Sequence, residues 1–256
     1  NKVLALAIDA EGDLWSGMWN GGLNQFKIEG QNLILKKRYP SIRKGVNTNT
    51  SIFYLHPTPK GELWIGTFEA GVFRYNLKDQ TFTPLRELIN FENDTIDELT
   101  VNDITISPQN NIWISTQDFG LLKVNLEKQT HHLYQQNLTD SLGQPAKLIN
   151  FTFQDSRKRT WVGTNVGLSL FDPEKETFRT YTTAHGLPDN NVVGMLEDDH
   201  GNLWISSNKG LSKITVHESN SLLPKLEIRN YGLADGLQGN LFNRWAFFKS
   251  RTGTMY

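Results

Sequence analysis

The side chains in this sequence best suited to chemistry are aromatics, amides and a few charges, set where strands give way to loops. Trp19-Asn20, Phe68-Glu69, Gln117-Asp118 and Asn208-Lys209 share one register of a repeated pattern, and Asn240, Asn243 and Arg244 fall in a second. An aromatic face beside amides, carboxylates and a cation suits a sugar: the ring stacks on apolar C–H surface and the polar groups partner hydroxyls. Arg244 would pair with a carboxylate or sulfate on an acidic glycan. The plain alternative is that most of these asparagines, with Asn47, Asn49, Asn102, Asn150, Asn190 and Asn191, cap turns. Trp19 is the exception, because it lies outside the register that scaffold packing requires.

Other chemistries find little support. Cysteine is absent, which removes thiolate catalysis, disulfides and Cys-zinc sites. His56, His131, His132, His185, His200 and His217 have no metal-ligand spacing, and adjacent residues on a strand point to opposite faces. No phosphate loop or nucleophile elbow occurs. Glycoside hydrolysis needs two carboxylates across the substrate, yet Glu69, Asp103, Asp118 and Asp189 form no recognisable pair. Net charge is −1 with both signs interspersed, so no footprint for nucleic acid appears. No apolar stretch is long enough to span a membrane. The expectation is a non-enzymatic segment with no catalytic residue, cofactor or metal. A secreted propeller glycosidase or polysaccharide lyase is the alternative, and a generic protein-interaction propeller is third.

The positioning elements follow from a recurring tryptophan. Trp15, Trp64, Trp113, Trp161 and Trp204 are separated by 49, 49, 48 and 43 residues, and Tyr256 takes the same place in a sixth phrase. Such a period, built from short strands, is the mark of a β-propeller with one blade per repeat. Inner strands are predicted at Val3–Ile8, Ile52–Leu55, Val101–Ile106, Leu148–Phe153, Val192–Leu196 and Trp245–Phe248. A tight turn follows, with Gly12, Gly61, Asn110, Lys158, Gly201 and Gly253 three residues before the aromatic. Glycine and asparagine there imply a left-handed backbone, and Lys158 breaks the pattern. Gly17, Gly66, Ser115, Gly163 and Ser206 share the tryptophan's strand face and leave space for a neighbouring ring. Outer strands are read at Gln80–Phe82, Thr130–Tyr134 and Thr177–Tyr181. The fold class is all-β, with blades at about 1–45, 46–95, 96–145, 146–186, 187–230 and, incomplete, 231–256. Five full blades and part of a sixth are expected, a fragment of a seven-bladed propeller.

Gly201-Asn-Leu-Trp-Ile-Ser-Ser-Asn-Lys-Gly-Leu-Ser-Lys-Ile214 and Tyr181-Thr-Thr-Ala-His-Gly-Leu-Pro-Asp-Asn-Asn-Val192 resemble the two-component regulator propeller repeat. Gly232-Leu-Ala-Asp-Gly-Leu-Gln-Gly-Asn-Leu-Phe-Asn243 is similar to the segment opening the final blade of the second propeller in periplasmic sensors of Bacteroides-type hybrid two-component systems. The resemblance implies two seven-bladed propellers and an immunoglobulin-like domain, followed by a membrane helix and a cytoplasmic histidine kinase. It also implies a homodimer and a ligand derived from a polysaccharide. Glu197-Asp-Asp199-His-Gly201-Asn-Leu-Trp204 is partly similar to the aspartate box of sialidases. It lacks the opening Ser or Thr, however, and unit one has Ala10 at the box's aspartate position.

Overall fold

A computed structural model describes residues 2–43, 49–91, 94–135, 138–139, 143, 145–146, 148–217, 224–250 and 252–256; Asn47 lies outside them. The described strands form five antiparallel four-stranded sheets, each running in sequence order from inner to outer strand. The first contains β1 (Val3–Ile8), β2 (Leu14–Met18), β3 (Gly22–Glu29) and β4 (Asn32–Tyr39). The second contains β5 (Ile52–Pro57), β6 (Glu62–Thr67), β7 (Val72–Asn76) and β8 (Thr81–Pro84). The third contains β9 (Thr100–Ile106), β10 (Asn111–Gln117), β11 (Leu121–Asn125) and β12 (Thr130–Tyr134). The fourth contains β13 (Ile149–Gln154), β14 (Thr160–Thr164), β15 (Leu168–Asp172) and β16 (Thr177–Tyr181). The fifth contains β17 (Val192–Glu197), β18 (Leu203–Ser207), β19 (Gly210–His217) and β20 (Lys225–Tyr231). These are the blades of a β-propeller. They fall into two compact units, residues 1–117 with 121–133, and residues 118–120 with 134–256.

One hairpin geometry repeats at every turn between the first two strands. The residue three before the aromatic has positive φ in all six phrases, from 57° at Asn110 to 87° at Gly12. Lys158 follows suit at 63°, so the fourth turn keeps its shape although its sequence departs from the pattern. The Lys158 amide donates to the Asp155 carbonyl and the Asp155 amide to the Arg159 carbonyl, the same pair of bonds made by Gly12, Asp9 and Asp13. This is a type I turn closed by a left-handed residue.

The turn also explains the tryptophan. In the first, fourth and fifth blades the indole Nε1 donates to the carboxylate opening the turn: Trp15 to Asp9 at 2.6 Å, Trp161 to Asp155 at 2.9 Å and Trp204 to Asp198 at 3.0 Å. The same carboxylates accept the amides two and four residues on. Each aspartate stands six residues before its tryptophan, a spacing present in the sequence but not read above. Trp15 and Trp161 are fully buried. Each sits among packed apolar side chains, with Ile52, Leu63 and Tyr75 in the first unit and with Phe151, Leu168 and Met195 in the second. Trp204 is only half-buried, stacked on Tyr231 of its own outer strand at 5.6 Å.

The glycines among the small residues leave space for a neighbouring side chain, a ring at one of them and a branched aliphatic at two. A Cβ on Gly66 would sit 2.7 Å from Val101 Cγ1, and one on Gly17 would sit 2.5 Å from Ile52 Cγ2. Val101 and Ile52 are on the inner strand of the following blade. At Gly163 the space is filled by Phe151 of the same blade's inner strand. The predicted inner strand at Trp245–Phe248 is not formed: Trp245 has φ 62°, outside the strand region. The sixth phrase is instead a hairpin in which Phe248 and Tyr256 exchange backbone bonds and Gly253 turns at φ 86°.

Candidate functional site

In the second, fourth and fifth blades the loop between the second and third strands is tied down by its strand ends. The Thr or Ser ending the second strand donates to the carbonyl of the loop's last glycine: Thr67 to Gly71 at 2.7 Å, Thr164 to Gly167 at 3.0 Å and Ser207 to Gly210 at 3.1 Å. The glycine cannot be replaced, because a Cβ at Gly210 would collide with the Tyr231 carbonyl and its φ of 107° is left-handed. Its amide reaches across to the next blade, from Gly22 to the Thr50 carbonyl, Gly71 to Leu99 and Gly210 to Asn240. Loop and next blade are thereby fixed together.

All five inner strands carry a β-bulge at one register, on Leu4, Phe53, Asn102, Asn150 and Val193. A bulge re-aims the side chain it carries. At Phe53 the result is a cluster of three rings in the first unit. Trp19 lies 5.7 Å from Phe53 and 5.2 Å from Phe68, and the two phenylalanines are 5.4 Å apart. Phe53 is buried and Phe68 partly so, while Trp19 is 39% exposed and presents ring surface to solvent. The structure thus brings Trp19 and Phe68 together and adds Phe53, which strand alternation could not single out.

The polar candidates of this unit divide. Asn20 is exposed, but its Oδ1 accepts from Ser51 Oγ and its amide donates back to that hydroxyl, both at 2.9 Å. Asn49 Nδ2 donates to the Asn20 carbonyl at 2.8 Å. These asparagines shape the loop beside Trp19. Glu69 and Gln117 present exposed side chains, and Glu69 holds a left-handed φ of 51° with its amide on Thr100 Oγ1. Nearby on the inner strands, Tyr54 bonds Asp103; burial first, and then the Asp103 charge, pushes the phenol well above its ordinary range. Asp103 is itself buried and accepts from Thr105, which suits a structural carboxylate.

In the second unit Asp118 is exposed at φ 63°. Asn208 and Lys209 are exposed, and Lys209 Nζ lies 3.8 Å from Asp189. The Phe242 amide donates to the Ser207 carbonyl, which carries Asn243 and Arg244 toward the Asn208 loop. The Arg244 guanidinium lies over the Trp245 ring at 5.4 Å. Asn240 is committed elsewhere: its Oδ1 accepts the Leu233 amide at 3.1 Å, just as Asn190 accepts the Thr183 amide at 2.8 Å. The segments 182–190 and 232–240 are copies of one loop. His185 Nδ1 and Asp235 Oδ2 take the amides of Thr182 and Gly232 in the same role. Asn150 is likewise structural, its Nδ2 clamping Val192 O at 2.7 Å and Asn191 Oδ1 at 3.1 Å. Among the described residues no group of three or more His, Asp or Glu could hold a metal ion.

The first unit thus offers ring surface with the exposed side chains of Glu69 and Gln117, and the second offers exposed Asn208 and Asn243 with an arginine. Comparison with known proteins gives it a context. Residues 186–209, which run from the end of the 182–190 loop through β17 and β18, match the family model of the two-component regulator propeller. Among solved structures, the extracellular domain assigned to hybrid two-component system BT3049 of B. thetaiotaomicron is 21% identical with TM-score 0.78. The match covers all of this chain and 32% of that one, so the chain spans about a third of that structure's length. PorZ, a surface component of the type-IX secretion system of Porphyromonas gingivalis, is 17% identical with TM-score 0.65, covering 94% of this chain and 35% of its own. Virginiamycin B lyase of Staphylococcus aureus is 14% identical with TM-score 0.61, covering 90% and 70%. The extracellular domain of a two-component system, a secretion-system component and a lyase share this fold, which is why function must be argued from the site. No curated protein sequence matches the chain.

Proposed function

We propose that this propeller belongs to the periplasmic sensor region of a hybrid two-component regulator, anchored in the inner membrane through a helix elsewhere in the protein. It binds an oligosaccharide released from a polysaccharide and passes the signal to a histidine kinase in the same polypeptide. A second propeller, an immunoglobulin-like domain and a second protomer are its partners. The observation that carries the ligand class is the ring cluster of Trp19, Phe53 and Phe68, with Trp19 39% exposed. The repeat match and the BT3049 neighbour support the signalling role. Ring surface stacks on a sugar's C–H face and Glu69 and Gln117 read hydroxyls, all within the first unit; the second unit offers its own polar candidates in Asn208, Asn243 and Arg244. Signalling follows if ligand favours one arrangement of the protein over another, because only differential affinity shifts an equilibrium.

The test is calorimetric titration of the intact protein with a panel of plant and host oligosaccharides. Trp19→Ala should weaken the sugar that binds by about tenfold or more, in line with loss of about 1–3 kcal/mol of stacking. Arg244→Ala should weaken acidic members selectively. Affinity unchanged in both variants would move the site off this propeller, and cleavage of a panel member would replace the sensor reading with a lyase or hydrolase.

A further inference from the structure

At the opposite end of the strand that leads to Phe68, the second blade lacks the turn carboxylate of three other blades; the third blade lacks it too and has Ser107, whose Oγ accepts the Asn111 amide at 3.2 Å. The second blade's turn opens with Thr58 where the first, fourth and fifth blades have Asp9, Asp155 and Asp198. Thr58 Oγ1 accepts the Glu62 amide at 3.2 Å, which reproduces one bond of the missing carboxylate. The indole bond is not reproduced: Trp64 is 1% exposed and its Nε1 has no hydrogen-bond partner. Arg74 is paired with Trp64 across the ladder between β6 and β7, and its Nε is also buried without a partner. An unpaired buried donor costs about 1–3 kcal/mol in general, so two side by side call for an acceptor.

Both residues line a cleft of about 420 Å³ with His56, Thr58, Lys60 and Glu127, all within the first unit. Arg74 holds Glu62 through Nη1 at 3.3 Å, which leaves the Nε edge of the guanidinium for another acceptor. Glu127 is engaged by Asn110 Nδ2 at 2.5 Å. Burial keeps the His56 imidazole below its ordinary pKa, so it is neutral at pH 7 and adds a donor or an acceptor without charge.

We propose that this cleft is a carboxylate-binding site, in which a ligand carboxylate takes the place that an aspartate side chain occupies in the first, fourth and fifth blades. The carboxylate accepts from Trp64 Nε1 and Arg74 Nε, with the Lys60 ammonium at the mouth. It is separate from the Trp19 cluster, since turn and loop lie at opposite ends of β6. The cleft has room for a sugar acid or for the last residue of a peptide.

The site can be read on the indole itself. In intact protein labelled with ¹⁵N-tryptophan, the Trp64 Nε1–H signal is assigned by its loss in Trp64→Phe. Glucuronate, N-acetylalanine and uncharged glucose are then titrated. A saturable downfield shift with either acid, and none with glucose, is the expected result; the tighter acid identifies a sugar or a peptide source. Thr58→Asp should move the signal without ligand and weaken the acids at least tenfold. Arg74→Gln, which retains the fold's polar contact, should weaken them as well. No shift with either acid, an equal shift with glucose, or full binding by both variants would overturn the proposal. The loop variants Trp19→Ala and Arg244→Ala should leave this titration unchanged, so its failure would not bear on the sensor reading.

Discussion

Asp198 collects an indole N–H, two backbone amides and the Asn202 side chain on one carboxylate. Burial alone would raise its pKa, but the hydrogen bonds from Trp204, Asn202 and His200 outweigh that and hold it at about 2, against an ordinary 3.8. A folded-state value below the unfolded one means stability present above pH 4 and lost as pH falls toward 2. With solvent screening at this partly exposed turn, the contribution is about 1–2 kcal/mol. Asp198→Asn should therefore lower stability at pH 7 by that amount and flatten the acid limb of a Tm-versus-pH curve between pH 4 and 2. An unchanged limb would show that another carboxylate governs it. Lys158 presents the converse case, a side chain with Cβ at φ 63° on an exposed turn. A left-handed backbone costs a non-glycine residue about 1–2 kcal/mol. Lys158→Gly should raise Tm by about 2–4 °C, and calorimetry showing a fall would mean the lysine side chain holds the turn.

At the level of the strand, the small residue two beyond the tryptophan sets how closely blades approach. Gly66→Ala would press on Val101 Cγ1 at 2.7 Å and should cost about 1–3 kcal/mol by overpacking. Val101→Ala removes that methyl, so the double variant should be more stable than the sum of the singles predicts, by about 0.5 kcal/mol or more in denaturant melts. Strict additivity would mean the two side chains do not share the space. Trp161→Ala should cost about 3–5 kcal/mol, and Trp204→Ala less, because only Trp161 is fully buried. This architecture was legible in the sequence because its signals are local. A tryptophan, a left-handed turn residue and a closing glycine recur at fixed spacing, and each is demanded by backbone geometry. The site was less legible. Candidates chosen by loop position included Asn20 and Asn240, whose side-chain oxygens are spent on Ser51 and Leu233. Phe53 was missed because a bulge, invisible to alternation, turns it toward Trp19. The orphaned Trp64 emerges only when the aspartates of three blades are compared with Thr58.

At the scale of the molecule, one inner strand stands apart. The register mates of Val3 are Ile52, Val101, Ile149 and Val192, each fully buried. Those of Leu6 include Leu55, Ile104 and Met195, which are 6%, 0% and 1% exposed. Val3 and Leu6 are themselves 52% and 64% exposed, with Ile8 at 51%. Side chains selected for a covered position therefore form an apolar face on β1, and contiguous apolar surface of this kind drives association. The 256-residue polypeptide on its own should self-associate at micromolar concentration, with the β1 face in the contact. Leu6→Lys places a charge in that contact and should weaken association by about tenfold or more, since an unpaired charge in an apolar interface costs several kcal/mol. The change leaves the interior intact, because Leu6 touches water already. Sedimentation equilibrium of the two proteins decides the matter: a monomeric parent, or a variant that associates as strongly as its parent, would place the sticky surface somewhere other than β1.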